Sequence, residues 1–381
     1  MIRNLKFKSF LVDYIFPFFS LINHIIPKNN KIIFFYCAND ELNDNSEAVF
    51  NYLIEHKFNQ KYKIICNVGN PRQYNHLENK NVKYISKKQC VIQYMKSGYV
   101  FYSMGKMPIR PSKKQMVINM WHGVPLKRVG LLSNVSNGRE FFFTYVLAPS
   151  ETWRPIMAAA FGCPEDRVVI CGEPKADKLM LPRKKNDEKL IIWAPTFRQS
   201  KYLGYNDSSQ KELLPIFKQC EWDQLNMNLK EKNVRLIVKL HPMQDLNGFS
   251  SYKCSNLEIY CAETFVKEKG DIFEMMSQSD GLISDYSGVF LDYLVLNRPI
   301  CYVLDDFDDY KKTRGFVFDN PLEYMPGHKV YTKEDLYNYI SDVSAEKDEY
   351  KQDRIRVNKL VNKYCDGKNC ERLLKIAKII N

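Results

Sequence analysis

The chain has 381 residues, 45% of them apolar, which is enough for two ordinary domains with hydrophobic cores and excludes a disordered protein. Its 56 Lys and Arg against 44 Asp and Glu give a formal net charge of +12, which favours an anionic partner such as nucleic acid, an acidic membrane or a phosphorylated substrate. The eleven cysteines include no CxxC pair and several lie in apolar runs, so we expect reduced, buried thiols in a cytosolic protein.

The first 28 residues are apolar and aromatic but contain no clean membrane span. The stretch FKSFLVDYIFPFFSLINHII follows three basic residues and is interrupted by Asp13, Pro17, Asn23 and His24. We predict that residues 1–28 form an amphipathic helical segment that lies on an anionic membrane surface. The alternatives are a helix docked on the protein's own core and a true span.

Apolar, β-rich runs then alternate with helical periodicity, which is the pattern of parallel sheets covered by helices. Predicted strands in the first half are 31–37, 62–68, 99–104, 115–121, 145–148 and 168–171, and predicted helices are 47–57, 87–96 and 151–161. A polar linker is predicted at 179–189, followed by strands at 190–194, 234–240, 281–284 and 300–304, a helix at 289–296 and charged helices from about residue 333. Two α/β halves joined by a linker predict a cleft. No RNA-binding aromatic signature accompanies the basic charge, which disfavours nucleic acid.

Several loops that follow these strands carry groups suited to binding or moving phosphate. His122 in NMWHGVPLKRVG can accept a proton near neutral pH, and His241 follows a strand in the second half. Thr196 and Arg198 lie beyond the strand at 190–194. A single histidine after a strand is more commonly a hydrogen-bonded structural residue. Two of them, one in each half, favour a base on one side of the cleft and a phosphate ligand on the other.

The segment SDYSG, residues 284–288, lies between a buried strand and an apolar helix. The first amides of a helix bind phosphate readily, so Ser284, Asp285, Ser287 and Gly288 are candidate phosphate ligands. The alternative is that Asp285 or Ser287 only caps the helix.

The run DDFDDYKKTRG, residues 305–315, holds consecutive aspartates that could suggest a divalent metal. Consecutive spacing does not provide convergent ligands, so we predict a solvated helix start and no metal site. Arg314 is the residue of this run best suited to a phosphate contact.

Nine stretches of the chain, taken in order, form a specific set. They are NDNSEAVFNYL from residue 43, WHGVPLKRVG from 121, GEPKADKL from 172, IIWAPTFR from 191, VKLHP from 238, DIFEMMSQSDGLISDYSGVFLDYLVLNRPICYVLDDFDDY from 271, RGFVF from 314, PG from 326 and YCDGKNCERLL from 364. This set resembles the CDP-glycerol glycerophosphotransferases, the primases and polymerases of teichoic acids and related capsule polymers.

The resemblance implies an α/β, GT-B-like fold in which two Rossmann-like domains face each other across a cleft. Residues 29–178 would form the acceptor domain and 190–365 the CDP-donor domain, and 366–381 would be a C-terminal helix that packs back on the first domain. The implied reaction is attack of an acceptor hydroxyl on the β-phosphate of a CDP-alditol, which forms a phosphodiester and releases CMP.

The resemblance also implies roles for single residues. His122 falls on the proposed general base, and His241 falls on a residue associated with the donor diphosphate. Ser284, Asp285, Ser287 and Gly288, together with Arg314, Thr196, Arg198 and Lys127, would contact donor phosphate or nucleotide. No cofactor is implied.

The chain departs from the common family pattern at three places. Val124 stands where HGTPLK has Thr, Lys175 and Ala176 stand where GxPRND has Arg and Asn, and Gly288 stands where SDYSS has Ser. A lysine offers a point charge where arginine offers a bidentate fork.

The expected function is therefore transfer of an alditol phosphate to a lipid-linked saccharide or a growing polymer at the cytoplasmic face of a bacterial membrane. Glycerol phosphate is the expected unit and ribitol phosphate remains open, as does the oligomeric state. One alternative is a GT-B glycosyltransferase that uses a nucleotide sugar in cell-surface polysaccharide synthesis. Another is a non-catalytic protein that binds anionic polymer at the membrane surface.

Overall fold

Two α/β units account for the part of the chain described by the computed structural model, which is residues 14–134, 138, 140–184, 186–202 and 204–381. The first unit contains 14–122, the described residues of 138–175, and 368–381; the second contains 123–134 and the described residues of 176–367. The expected first domain ran unbroken from 29 to 178. Residues 123–134 instead pack with the second unit, so the chain changes unit directly after His122.

The first unit is built on a sheet whose neighbouring strands are all parallel. Its strands are β1 Asn29–Phe35, β2 Lys63–Asn67, β3 Val82–Ile85, β4 Ser97–Tyr102, β5 Met116–Asn119, β6 Tyr145–Ala148 and β7 Val168–Ile170, in the order β3-β2-β1-β4-β5-β6-β7. Its helices before residue 176 are α1 Phe16–Ile25, α2 Asp44–Glu55, α3 Cys90–Lys96 and α4 Arg154–Phe161. The strand order reverses between β1 and β4, which is where sheets of this kind place ligands.

The second unit repeats the architecture around a second sheet. Its strands are β8 Lys189–Trp193, β9 Val234–Lys239, β10 Ser251–Lys253, β11 Leu257–Tyr260, β12 Gly281–Ser284, β13 Ile300–Val303 and β14 His328–Val330, in the order β10-β11-β9-β8-β12-β13-β14. Its helices are α5 Trp222–Glu231, α6 Ala262–Lys269, α7 Ile272–Gln278, α8 Val289–Tyr293, α9 Phe307–Thr313, α10 Lys333–Ser344 and α11 Lys351–Val361. All neighbouring strands are parallel except β10, which runs antiparallel to β11. Here the switch in strand order lies between β8 and β12.

The final helix, α12 Asn369–Ile376, belongs to the first unit. Cys370, Leu373 and Leu374 are buried in the same core cluster as β1 and β2. Its apolar face is therefore covered by the first sheet's core, although the chain reaches it only after passing through the whole second unit.

The two sheets explain the apolar runs in the sequence. All four residues of β12 and of β13 are buried, because a central parallel strand has helices on both faces. The predicted strands are present with shifted ends, whereas four short strands were missed: β3, β10, β11 and β14. These lie at or next to sheet edges, where a run of three or four residues carries little apolar signal. The predicted helix at 289–296 is only α8 followed by a 3₁₀ turn at Leu294–Leu296.

Helix α1 docks on the first unit through its polar side chains. Asn23 is fully buried, and its amide donates to the Arg110 carbonyl at 2.9 Å and to Gln115 Oε1 at 2.7 Å. Ser20 Oγ accepts the Arg110 N–H at 3.0 Å. The apolar side chains of Phe18, Leu21 and Ile25 are 60%, 68% and 82% exposed. The helix thus buries polar groups and leaves apolar ones uncovered.

Residues 1–13 of the predicted membrane-associating segment, which include Arg3, Lys6 and Lys8, lie outside the described residues. Within the described part of the chain, every helix is too short or too polar to cross a membrane.

Candidate functional site

His122 lies on the loop that leaves β5 in the first unit. Its imidazole is exposed, and Nδ1 lies 3.4 Å from the Ser103 carbonyl at the end of β4. The Trp121 ring lies against it, with ring centroids 4.0 Å apart. A carbonyl accepts hydrogen bonds only, so Nδ1 carries the proton in the neutral ring and Nε2 provides the basic lone pair. This is the tautomer that a general base requires.

The loops after β8 and β12 meet at the switch point of the second sheet. Asp285 Oδ2 accepts the Thr196 N–H at 2.8 Å and the Thr196 hydroxyl at 3.0 Å. Asp285 Oδ1 accepts the Ser287 N–H at 3.2 Å. One fully buried carboxylate therefore joins both loops and fixes the turn that leads into α8.

Arg198 extends this network to the loop after β13. Its Nη1 lies 2.7 Å from Asp285 Oδ2, and its Nε lies 2.7 Å from Asp306 Oδ2. The guanidinium also lies over the ring of Tyr286, whose hydroxyl donates to Asp306. Arg198 is only 1% exposed. A buried arginine between two carboxylates is neutralised within the protein.

Three of the predicted phosphate ligands belong to this network. Thr196, Arg198 and Asp285 were expected to contact phosphate, yet in the structure they contact one another. The functional groups of all three residues are buried. A buried charge needs a counter-charge in contact with it, and Arg198 and Asp285 supply one another's. These residues support the loops that surround them.

Ser284, Ser287 and Gly288 lie on the same turn in three different environments. Ser284 is fully buried, and among the described residues its hydroxyl has no hydrogen-bond partner. The Ser287 hydroxyl accepts the Val289 N–H at 3.3 Å, which is the capping interaction considered as the alternative. Helix α8 has only five residues, so the dipole at its start is smaller than that of a longer helix.

Gly288 is required by close packing. A Cβ built on this residue would lie 2.1 Å from the carbonyl oxygen of Val124, within the 123–134 segment. Two of the departures from the family pattern, Val124 and Gly288, thus meet in one contact. Any side chain at residue 288 would push that segment away.

Two basic residues, Lys127 and Arg314, belong to one electrostatic cluster with Asp207, which sequence analysis missed. Arg314 Nε lies 3.9 Å from Asp207 Oδ1, and Asp207 donates its N–H to the Arg198 carbonyl at 2.9 Å. Burial lowers the pKa of Lys127 to about 8; Arg314 and Arg198 also lower it, and Asp207 and Asp285 oppose this. Lys127 and Arg314 are the two cations of this cluster, and Asp207 is its carboxylate.

His241 lies beyond β9, half-buried, with its ring 5.2 Å from that of Phe197. Its Nδ1 accepts the Met243 N–H at 3.1 Å, so the proton of the neutral ring is on Nε2. His241 therefore has a hydrogen-bond donor at Nε2, whereas His122 has its lone pair there. The Lys127 ammonium lies 5.8 Å from the same Phe197 ring.

The acidic run at 305–315 is built into the fold. Asp306 pairs with Arg198, and Asp309 accepts from the backbone and hydroxyl of Ser209. No group of three or more His, Cys, Asp or Glu side chains with metal-binding geometry occurs in the described residues.

Residues 18–378 match the family described as CDP-Glycerol:Poly(glycerophosphate) glycerophosphotransferase. The chain is 29% identical to a teichoic acid glycerol-phosphate primase of Bacillus subtilis, over 69% of this chain and 68% of that protein. It is 26% identical to a teichoic acid poly(ribitol-phosphate) polymerase of Bacillus spizizenii, over 94% of this chain but only 58% of that protein. A teichoic acid glycerol-phosphate transferase of Staphylococcus aureus is 25% identical over 98% of both chains.

Among solved structures, the wall teichoic acid polymerase TagF superposes with a TM-score of 0.74 at 20% identity, covering 98% of this chain and 95% of that chain. At this identity the likeness shows the fold, and it agrees with the expected GT-B-like pair of α/β domains.

Replacing Arg198 should destabilise the second unit. Arg198→Met leaves Asp285 and Asp306 buried without their counter-charge, so we expect a loss of about 3–5 kcal/mol in the free energy of unfolding. Arg183→Met is the matched control, because Arg183 pairs with Asp280 at 2.5 Å but its side chain is 40% exposed, and a loss of about 0–1 kcal/mol is expected. Urea denaturation measures both. Equal losses would contradict the structural role of Arg198.

Anion binding to the Lys127 cluster should depend on pH. Lys127 with a pKa of about 8 loses its charge above that pH, and a bound anion favours the charged form. Calorimetric titration with inorganic pyrophosphate should show affinity that is full below about pH 7 and falls up to about tenfold per unit above 8. The titration of pyrophosphate itself affects both proteins alike. Lys127→Arg stays charged, so its affinity for pyrophosphate should fall less steeply as the pH rises. Identical pH profiles would show that Lys127 does not contact the anion.

Proposed function

Because the chain belongs to the CDP-glycerol:poly(glycerophosphate) glycerophosphotransferase family, we propose that it transfers an alditol phosphate from a CDP-alditol to an acceptor hydroxyl and releases CMP. The membership expected from nine ordered motifs is confirmed. Glycerol phosphate is the proposed unit, and the names of the relatives include both glycerol and ribitol phosphate. The basic cluster beside the switch point of the second sheet is the observation that carries the proposal.

The donor is proposed to bind the second unit at the carboxyl ends of β8, β9 and β12. Lys127 and Arg314 supply positive charge, and His241 donates from Nε2 to a phosphate oxygen. The Ser287 hydroxyl and the buried Ser284 hydroxyl add neutral donors on the same turn. Preorganised donors of this kind stabilise the charge that develops on the diphosphate as CMP leaves.

His122 is proposed as the general base. Nε2 takes the proton of the acceptor hydroxyl while that oxygen forms a bond to the β-phosphorus of the donor. The bond from this phosphorus to the oxygen bridging the two phosphates breaks, and its electron pair leaves with CMP. The Ser103 carbonyl on Nδ1 stabilises the imidazolium that results. A positioned base contributes roughly 10²–10⁴-fold to the rate.

The test of the reaction is CMP release with CDP-glycerol and CDP-ribitol in parallel, using a lipid-linked saccharide or an alditol-phosphate acceptor. His122→Ala should lower kcat by roughly 10²–10⁴-fold. His56→Ala is the matched control, because His56 is an exposed histidine of the first unit whose Nδ1 also contacts a carbonyl, that of Tyr52. Full activity in His122→Ala would exclude it as the base, and turnover only with a nucleotide sugar would overturn the reaction itself.

We also propose that α1 seats the protein on the cytoplasmic face of the membrane that carries the acceptor. Phe18, Leu21 and Ile25 form an exposed apolar stripe, with spacings of three and four residues that place them on one face of the helix. The exposed residues Arg110, which pairs with Glu140, and Lys114 both precede Gln115, to which α1 is anchored. An apolar stripe beside cations suits an anionic lipid surface.

Vesicle co-sedimentation tests this membrane proposal. Phosphatidylglycerol vesicles should bind the protein more strongly than phosphatidylcholine vesicles, and Leu21→Ser with Ile25→Ser should weaken binding by roughly tenfold for each side chain. The matched control replaces Met227 and Val266, which are 64% and 62% exposed in the second unit. Equal binding by both double variants would show that α1 does not contact lipid.

A further inference from the structure

Two motifs noted in the sequence, NDNSE and GEPKAD, have no role in the mechanism proposed so far, yet in the structure they meet behind His122. Lys175 follows β7, and its ammonium donates to the backbone carbonyl of His122 at 2.8 Å. The same ammonium lies 2.7 Å from Asp44 Oδ1 at the start of α2. Lys175 is buried, so these contacts are formed away from water.

Asn45, the next residue of α2, holds the preceding peptide. Its side-chain amide donates to the Trp121 carbonyl at 3.1 Å and to Glu173 Oε2 at 2.6 Å. Its Oδ1 accepts the backbone N–H of Lys175 at 3.0 Å. Asn45 is fully buried and thereby connects α2, the loop after β5 and the loop after β7.

The backbone at this point needs such support. Trp121 has φ of 58°, in the left-handed region, which is unfavourable for a bulky residue. A conformation of this kind persists only where surrounding contacts enforce it. Here the contacts act on the carbonyls of Trp121 and His122, the two peptides that set where the imidazole lies.

We propose that Lys175 and Asn45 are positioning residues for the general base. They do not touch the substrate; they clamp the backbone of residues 121 and 122 so that Nε2 of His122 is held at the acceptor hydroxyl. This inference rests on the proposed function of His122. It also assigns a role to Lys175 at the place where the family pattern has arginine.

Lys175→Met removes the clamp, and Lys178→Met is the matched control, because Lys178 forms a comparable ion pair with Asp271 at 2.9 Å in the second unit. Lys175→Met should lower kcat roughly 10–100-fold, with KM for the CDP-alditol within about twofold, because a small misplacement of a catalytic group is costly. Lys175→Arg should restore part of kcat. Unchanged kcat in Lys175→Met, or an equal loss in Lys178→Met, would overturn the proposal.

A double variant separates positioning from a general structural defect. If Lys175 acts through His122, adding Lys175→Met to His122→Ala should lower the residual rate no further. If the double variant instead lost as large a factor relative to His122→Ala as Lys175→Met loses relative to the wild type, the proposal would be overturned. Asp44→Asn removes the ion pair but keeps the bond from Lys175 to the His122 carbonyl, so it should lower the unfolding temperature while leaving most of kcat.

Hydrogen exchange tests the clamp without turnover. The amides of residues 121 to 124 should exchange faster in Lys175→Met and in Asn45→Ala than in the wild type, and Lys178→Met should leave them unchanged. Unaltered exchange in both clamp variants would overturn the clamp even in an active enzyme. If these amides exchange faster in the two variants but the wild type releases no CMP, the clamp is supported and the proposed function is wrong.

Discussion

One buried cation joins three loops of the second unit. Arg198 lies between Asp285 and Asp306, and with Thr196 it ties together the loops after β8, β12 and β13. Each of these charges would be costly to bury alone, and the shared guanidinium offsets part of the charge of the two carboxylates. Because the network sits at the switch point of the sheet, it determines the shape of the loops there.

The groups proposed to bind the donor diphosphate lie outside this pairing. The Ser284 hydroxyl has no partner among the described residues, His241 presents a donor at Nε2, and Lys127 has its pKa lowered by burial and by neighbouring arginines. The contact between Gly288 and the Val124 carbonyl brings the segment that carries Lys127 against the same turn.

In the first unit, buried polar side chains hold the loop that carries His122, the proposed base. This loop after β5 adopts an unfavourable backbone conformation at Trp121, and buried polar side chains of α2 and of the loop after β7 hold it. The imidazole itself stays exposed, with one nitrogen on the Ser103 carbonyl. Rigid support beneath an accessible side chain is what proton transfer requires. Helix α1 reverses the usual burial pattern of a surface helix. Its polar residues Ser20 and Asn23 are buried, and its apolar residues Phe18, Leu21 and Ile25 are exposed.

The sequence by itself determined the alternation of strands and helices, the loops that carry His122 and His241, and membership of the family, because these follow from local periodicity and from motifs in a fixed order. It could not determine which charges pair. Arg198 and Arg314 were both predicted to contact phosphate, but Arg198 pairs with carboxylates 87 and 108 residues away in the chain. Only the tertiary structure decided this, because burial and counter-charge depend on distance in space. For the same reason only the structure placed 123–134 in the second unit and Lys175 against the backbone carbonyl of His122.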